Sequence, residues 1–175
     1  MKVKHAFQSG LTDGSDTAVV RPSNWNADHA ITFRGALVGK SGNVSLPASA
    51  WSTIAYDTEV YDTDNIHDNA TNNSRLTVPS GVTKVRLTSV GAFTATGFTF
   101  ACRLIKNGTT VICCSLTDAP VAPGGEGPPY SLVSPVIEVA AGDYFEFQLN
   151  MNNARDLAAT SSVHGPTQFG MEIIN

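Results

Sequence analysis

The order of apolar and polar positions changes character near residue 45. Before it, large apolar residues are isolated among turn residues; after it, short alternating runs are separated by turn signals. Residues 83–93 open with Val85 and Leu87 set against Lys84, Arg86 and Thr88, the period of two that marks a half-buried strand. Residues 97–106 place Phe98, Phe100, Cys102 and Leu104 opposite Thr99, Ala101, Arg103 and Ile105. Asn107-Gly108 follows, then a return strand over residues 109–116. Asn and Gly accept the positive φ of a type I′ turn, so this is a predicted hairpin. In Tyr144–Met151, Phe145, Phe147 and Leu149 alternate with Tyr144, Glu146 and Gln148. Further strands are expected over residues 51–57, 74–78, 132–139 with a break at Pro135, 158–163 (weakly) and 168–174. Residues 58–73, rich in Asp and Asn, should be mostly loop, with 59–61 extended. Residues 117–130 hold Pro120, Pro123, Pro128 and Pro129 among glycines, which excludes a helix or central strand. Loops of that length are often contact surfaces. With no ordinary helix expected after residue 50, the prediction is an all-β antiparallel sandwich.

The front of the chain reads differently. Turn pairs Asp13-Gly14 and Ser15-Asp16 separate strand-like pieces at residues 4–8 and 17–21, and a lone hairpin is marginal in water. Pro22 biases Arg21 to an extended form, and Ser23 or Asn24 can cap a helical turn over residues 25–29. Trp25 lies on a segment too short to bury it. It packs either on a neighbouring chain or partner protein, or back on the chain's own domain. Residues 35–50, small and rich in Gly and Ser, read as a linker or a short hairpin around Ser41-Gly42-Asn43. The division expected is an extended N-terminal arm and linker, residues 1–45, and a β domain, residues 46–175.

Composition narrows the function. Only 15% of the 175 residues are charged and the net charge is −4 with no basic run, which argues against nucleic-acid binding driven by phosphate neutralisation. Few charges also suit a surface that a partner covers. The three cysteines, Cys102, Cys113 and Cys114, read as buried or strand-borne free thiols of a chain assembled in a reducing cytoplasm. They lack the four-ligand spacing of a zinc site. The first residues carry no apolar signal-peptide core, and no run approaches the ~20 apolar residues of a membrane-spanning helix, so no membrane insertion is expected.

Candidate chemistry is sparse. Asp57, Glu59, Asp62, Asp64 and Asp68 are dense enough in hard oxygen ligands for calcium, but the EF-hand spacing is absent and a solvated loop is the simpler reading. No metal and no cofactor are expected. His67 reads as a surface histidine, or, with Asp64 and Asp68, as part of a metal or acid–base site; His5, His29 and His164 lie far from it in sequence. There is no Gly-x-Ser-x-Gly and no His-Glu-x-x-His. Glu138 with Asp143 could only be weighed as a carboxylate pair for glycoside hydrolysis, and no enzyme is expected. Tyr56, Tyr61 and Tyr130, in or beside polar loops, are candidate glycan contacts.

Two resemblances sharpen this. His5-Ala6-Phe7-Gln8-Ser9-Gly10, Asp13-Gly14-Ser15-Asp16 and Val20-Arg21-Pro22-Ser23-Asn24-Trp25-Asn26-Ala27-Asp28-His29 resemble the N-terminal stretch of tail-fibre-like and head-fibre-like proteins of tailed bacteriophages and gene transfer agents. That implies a virion component, with Phe7, Leu11, Trp25, Ile31 and Phe33 as the docking side chains. In order, Tyr61-Asp62-Thr63-Asp64-Asn65, Ser74-Arg75-Leu76-Thr77-Val78-Pro79-Ser80-Gly81-Val82, Arg103-Leu104-Ile105-Lys106-Asn107-Gly108, Val139-Ala140-Ala141-Gly142-Asp143-Tyr144-Phe145-Glu146 and the closing Thr167-Gln168-Phe169-Gly170-Met171 resemble the complement-globular-head and tumour-necrosis-factor jelly roll. The chain departs at Thr83-Lys84-Val85, where that family usually has aromatics. The resemblance implies a homotrimer with the C-terminal strand near the threefold axis, and Tyr144, Phe145, Phe147 and Phe169 divided between the subunit core and the trimer interface. Together they imply a head or tail fibre, spike or decoration protein on the virion surface, assembled in the host cytoplasm. Its expected partners are capsid or tail proteins, with a distal fibre protein or host surface polysaccharide beyond; the alternative is a host-receptor adhesin that binds carbohydrate through its jelly-roll loops.

Overall fold

Two antiparallel sheets gather the alternating stretches around one shared core. A computed structural model describes residues 2–3, 6–27, 29–30, 33–119 and 127–174. It divides into two compact units, Met1–Phe33 and Arg34–Asn175. Ile31 and residues 120–126 of the predicted contact loop lie outside the described residues.

The first unit contains β1 (Lys2–Val3), α1 (Pro22–Asn26) and β2 (His29–Ala30), with β1 antiparallel to β2. The helical turn starts earlier than expected. Pro22 has the φ of a first helical residue and needs no N–H there, while Arg21 before it stays extended at φ −84, ψ 155. The Asn24 side-chain oxygen accepts the Arg21 N–H at 3.3 Å.

The second unit runs β3 (Gly35–Gly39), β4 (Val44–Leu46), β5 (Ser52–Thr53), β6 (Thr58–Asp62), β7 (Arg75–Thr77), β8 (Lys84–Ala92), β9 (Phe98–Lys106), β10 (Thr110–Ala119), β11 (Pro129–Val133), β12 (Ile137–Glu138), β13 (Tyr144–Met151), β14 (Arg155–Leu157), β15 (Thr160–Ser161), β16 (Gly165–Pro166) and β17 (Gln168–Ile173). One sheet is ordered β10-β9-β13, with β5 and β7 both on the far side of β13. The other is ordered β11-β8-β17-β3-β6, with β12 continuing beside β8. This is an antiparallel jelly-roll sandwich, as the sequence predicts.

Residues 35–39 are a central strand rather than a linker. β3 lies between β17 and β6, with Ala36 and Val38 fully buried. Glycine at its start is required by packing, because a Cβ on Gly35 would collide with the Met171 carbonyl. The domain boundary therefore falls before Arg34, not after residue 45.

The predicted hairpin forms between β9 and β10. Asn107 (φ 52) and Gly108 (φ 75) both take the left-handed conformation, and the Thr109 N–H reaches the Lys106 carbonyl at 3.2 Å. Pro135 breaks the next strand into β11 and β12. Beside it the Ser134 hydroxyl accepts the Leu87 N–H at 2.9 Å, which satisfies the β8 backbone where the ladder is interrupted. The core is aromatic: Tyr130 of β11 stacks on Phe147 of β13 at 5.1 Å, joining the two sheets, and Phe93, Phe98 and Phe100 pack beside them.

Candidate functional site

Three of the β-domain motifs that carried the jelly-roll resemblance, those at residues 74–82, 103–108 and 139–146, converge on one junction at an end of the sandwich. Asp143 accepts from the Asn107 amide and the Ala140 N–H, each at 2.8 Å, and pairs with Lys106 at 2.6 Å. Asn107 in turn accepts the Tyr144 N–H at 2.9 Å. The Val78 N–H bonds the Asp143 carbonyl, and the Gly142 N–H returns to the Val78 carbonyl. Burial works against the Asp143 charge, but the Ala140 amide, Lys106 and Asn107 outweigh it and lower its pKa to about 2. These segments, far apart in the sequence, bind each other. The Asp143 carboxylate is taken up by Asn107, Ala140 and Lys106 as a structural joint.

Neighbouring groups tighten the same end. Arg75 lies 4.0 Å over the Tyr144 ring and reaches Glu146, which also accepts the Ser74 hydroxyl at 2.7 Å. Tyr144 is half-buried in this cluster. Phe145, Phe147 and Phe169, expected to be shared with a trimer interface, are wholly enclosed between the sheets of a single chain. Inward positions on central strands are closed off by the opposite sheet, so these three rings cannot face another subunit. Two glycan candidates change in the same way. Tyr56 is fully buried and Tyr130 is 6% exposed, while Tyr61 on edge strand β6 is 38% exposed.

The acidic segment is committed internally. Asp57 accepts from Ser41 and Lys40, Asp62 from the backbone of Asp64 and His67, Asp64 from Arg34 and Thr63, and Asp68 from the N–H groups of Ala70 and Thr71. Among the described residues no group of three or more His, Cys, Asp or Glu is placed to hold a metal ion. His67 is not a surface residue. Its ring is buried, with Nδ1 at 3.1 Å from Glu59 and Nε2 at 3.1 Å from the Asn73 carbonyl. Sequence could not show this, because what buries it is the crossing from β6 to β7.

The cysteines are free thiols, as expected: Cys102 is buried, Cys113 half-buried and Cys114 exposed. Burial raises the Cys102 pKa to about 11.

Two surfaces stand out by what is left uncovered. The first is the outer face of the β8–β17–β3 sheet. Register places Thr88 beside Val133 and Gly170, Gly170 beside Leu37, and Leu37 beside Tyr61. Val90 is 37% and Val133 55% exposed on this face. Val90 occupies the polar phase of β8, where alternation alone predicts a solvent-loving side chain.

The second is the first unit, where no described residue is buried. Phe7 is 72%, Leu11 78%, Trp25 42% and Phe33 50% exposed. Polar staples set its shape. Asn26 exchanges two bonds of 2.8 Å with the Ser9 backbone, Asp13 accepts the Ser23 N–H and hydroxyl, and the Trp25 indole donates to the Phe7 carbonyl at 3.2 Å. The Ser23 bonds hold the Asp13 pKa below the ordinary carboxylate value. Phe7, Val20, Pro22 and Trp25 thereby line an open recess of about 400 Å³.

Neither protein-family profiles nor curated proteins match the sequence. Solved structures do. Murine APRIL at pH 5.0 aligns with a TM-score of 0.60 at 14% identity, covering 82% of this chain and all of that one. The Eiger TNF of S. frugiperda aligns with a TM-score of 0.54 at 12% identity, covering 82% of this chain and 93% of that one. At this identity the likeness establishes a TNF-like jelly roll and nothing finer.

Proposed function

We propose that this chain is a structural component of a tailed-phage-like particle, docked through its N-terminal unit and presenting a homotrimeric jelly roll at the virion surface. The observation that carries the reading is that unit's construction. Side-chain bonds to its own backbone fix its shape, while Phe7, Leu11 and Trp25 remain in water. Such a shape without a core gains stability by burying those residues against another protein, at roughly 25 cal/mol for each Å² of apolar surface removed from water.

Homotrimer formation is the second part of the reading. The resemblance implies that the C-terminal strand lies near the threefold axis, and β17 is the centre of the sheet whose outer face carries half-buried Leu37 and exposed Val90 and Val133. These replace Phe145, Phe147 and Phe169 as the proposed interface. No catalytic role is assigned.

Co-sedimentation of the full-length chain with purified particles tests the docking. Wild type should pellet with the particle, and Trp25→Ala should stay in the supernatant with an unchanged β-domain melting temperature. Equal pelleting of both would reject the arm as the docking element.

A further inference from the structure

The outer face of the other sheet carries a chemistry that particle docking does not use. Trp51 is 39% exposed and lies over the Arg103 guanidinium at 3.9 Å. Arg103 Nε donates to Gln148 at 2.8 Å, and the Gln148 amide donates to Thr53 at 2.8 Å. This ladder crosses β9, β13 and β5 at paired positions and fixes the guanidinium and indole in one arrangement. Arg34, Lys40, Arg75, Arg86 and Lys106 each have a carboxylate partner; Arg103, like Lys84 and Arg155, has none shown among the described residues, and it differs from those two in being clamped between an indole and a carboxamide. A held, half-buried cation without a counter-charge is a site prepared for an anion.

The surface beside it is shaped for a sugar. Two positions along the same strands, Ala101 stands beside Asn150 where Arg103 stands beside Gln148. The small Ala101 leaves a recess of about 230 Å³ between Leu116 of β10 and Asn150 of β13, with Phe100 and Met151 also in its wall and Ser49, Thr99 and Asn152 at its edges. A pyranose ring has the same division, with apolar C–H faces and a rim of hydroxyls. The recess is mainly apolar, as the C–H face of a pyranose requires, and Asn150, Asn152 and Ser49 stand where they can meet its hydroxyls.

We propose that this face binds a carboxylate-bearing saccharide, with the carboxylate on Arg103, one sugar ring against Trp51 and the next in the recess over Ala101. The site replaces Tyr56 and Tyr130 as the place where this chain would meet a glycan, and it does not depend on how the particle is docked.

The probes are a glucuronate-containing tetrasaccharide and the matching neutral glucose tetrasaccharide, titrated into the full-length chain and followed by NMR. The acidic probe should shift the Trp51 indole and Arg103 Nε–H resonances at millimolar concentration and bind about tenfold more tightly than the neutral one. Trp51→Ala and Arg103→Lys should each weaken it about tenfold with the melting temperature unchanged, because lysine keeps the charge but loses the flat fork. The wild-type shifts read the site even where a variant fails to fold. Equal binding of the neutral probe, undisturbed Trp51 and Arg103 resonances, or equal competition by an aspartate-rich peptide would each overturn the proposal.

Discussion

Single side chains at the motif junction link sequence to stability most directly. Asp143 has a lowered pKa in the folded chain, so its contribution is complete above the unfolded carboxylate value of about 3.9 and disappears as pH falls toward about 2. Asp143→Asn should therefore cost about 1–2 kcal/mol at neutral pH and little at pH 2, measured by urea unfolding at each pH. Phe147→Ala, inside the sheet-to-sheet stack, should cost about 3–5 kcal/mol at neutral pH. Period two placed Phe145 and Phe147 on one face, and the jelly-roll resemblance set Phe169 with them; all three point inward. The period could not say that the face was sealed by the same chain, because strand pattern reports one sheet and burial depends on both. Tyr56 and Tyr130 were misjudged for that reason: polar sequence neighbours do not describe what a fold places above a ring.

At the scale of elements, turn chemistry was the most legible feature. Asn107-Gly108, the break at Pro135 and the bounds of β13 follow from local backbone preferences, and local preferences are what a sequence shows. β3 was hidden because Gly35 and Gly39 imitate a linker, although the first is glycine to let β17 approach. The arm was half legible. Its exposed apolar residues could be read, whereas the Asn26–Ser9 and Asp13–Ser23 staples join positions far apart in sequence. Asn26→Ala should remove two of these bonds. Limited proteolysis should then cut near Ser9 several times faster, with the β domain intact.

Across the whole molecule, the two sheets differ in what their outer faces offer. The β8–β17–β3 face is apolar and small at its centre, and three copies meeting there would cover Leu37, Val90 and Val133. Light scattering should give three times the chain mass for wild type and the monomer mass for Val90→Lys with Val133→Lys, while both keep the same circular dichroism spectrum. The opposite face offers Trp51, Arg103 and the recess over Ala101 instead.

The docking claim is met most directly by amide hydrogen exchange of residues 6–27, compared between the free chain and the chain on the particle. These amides bond to exposed groups with no core behind them, so the free chain should exchange them rapidly and the particle-bound chain slowly. Equal protection in both states would contradict the account, because the unit would then be complete without a partner.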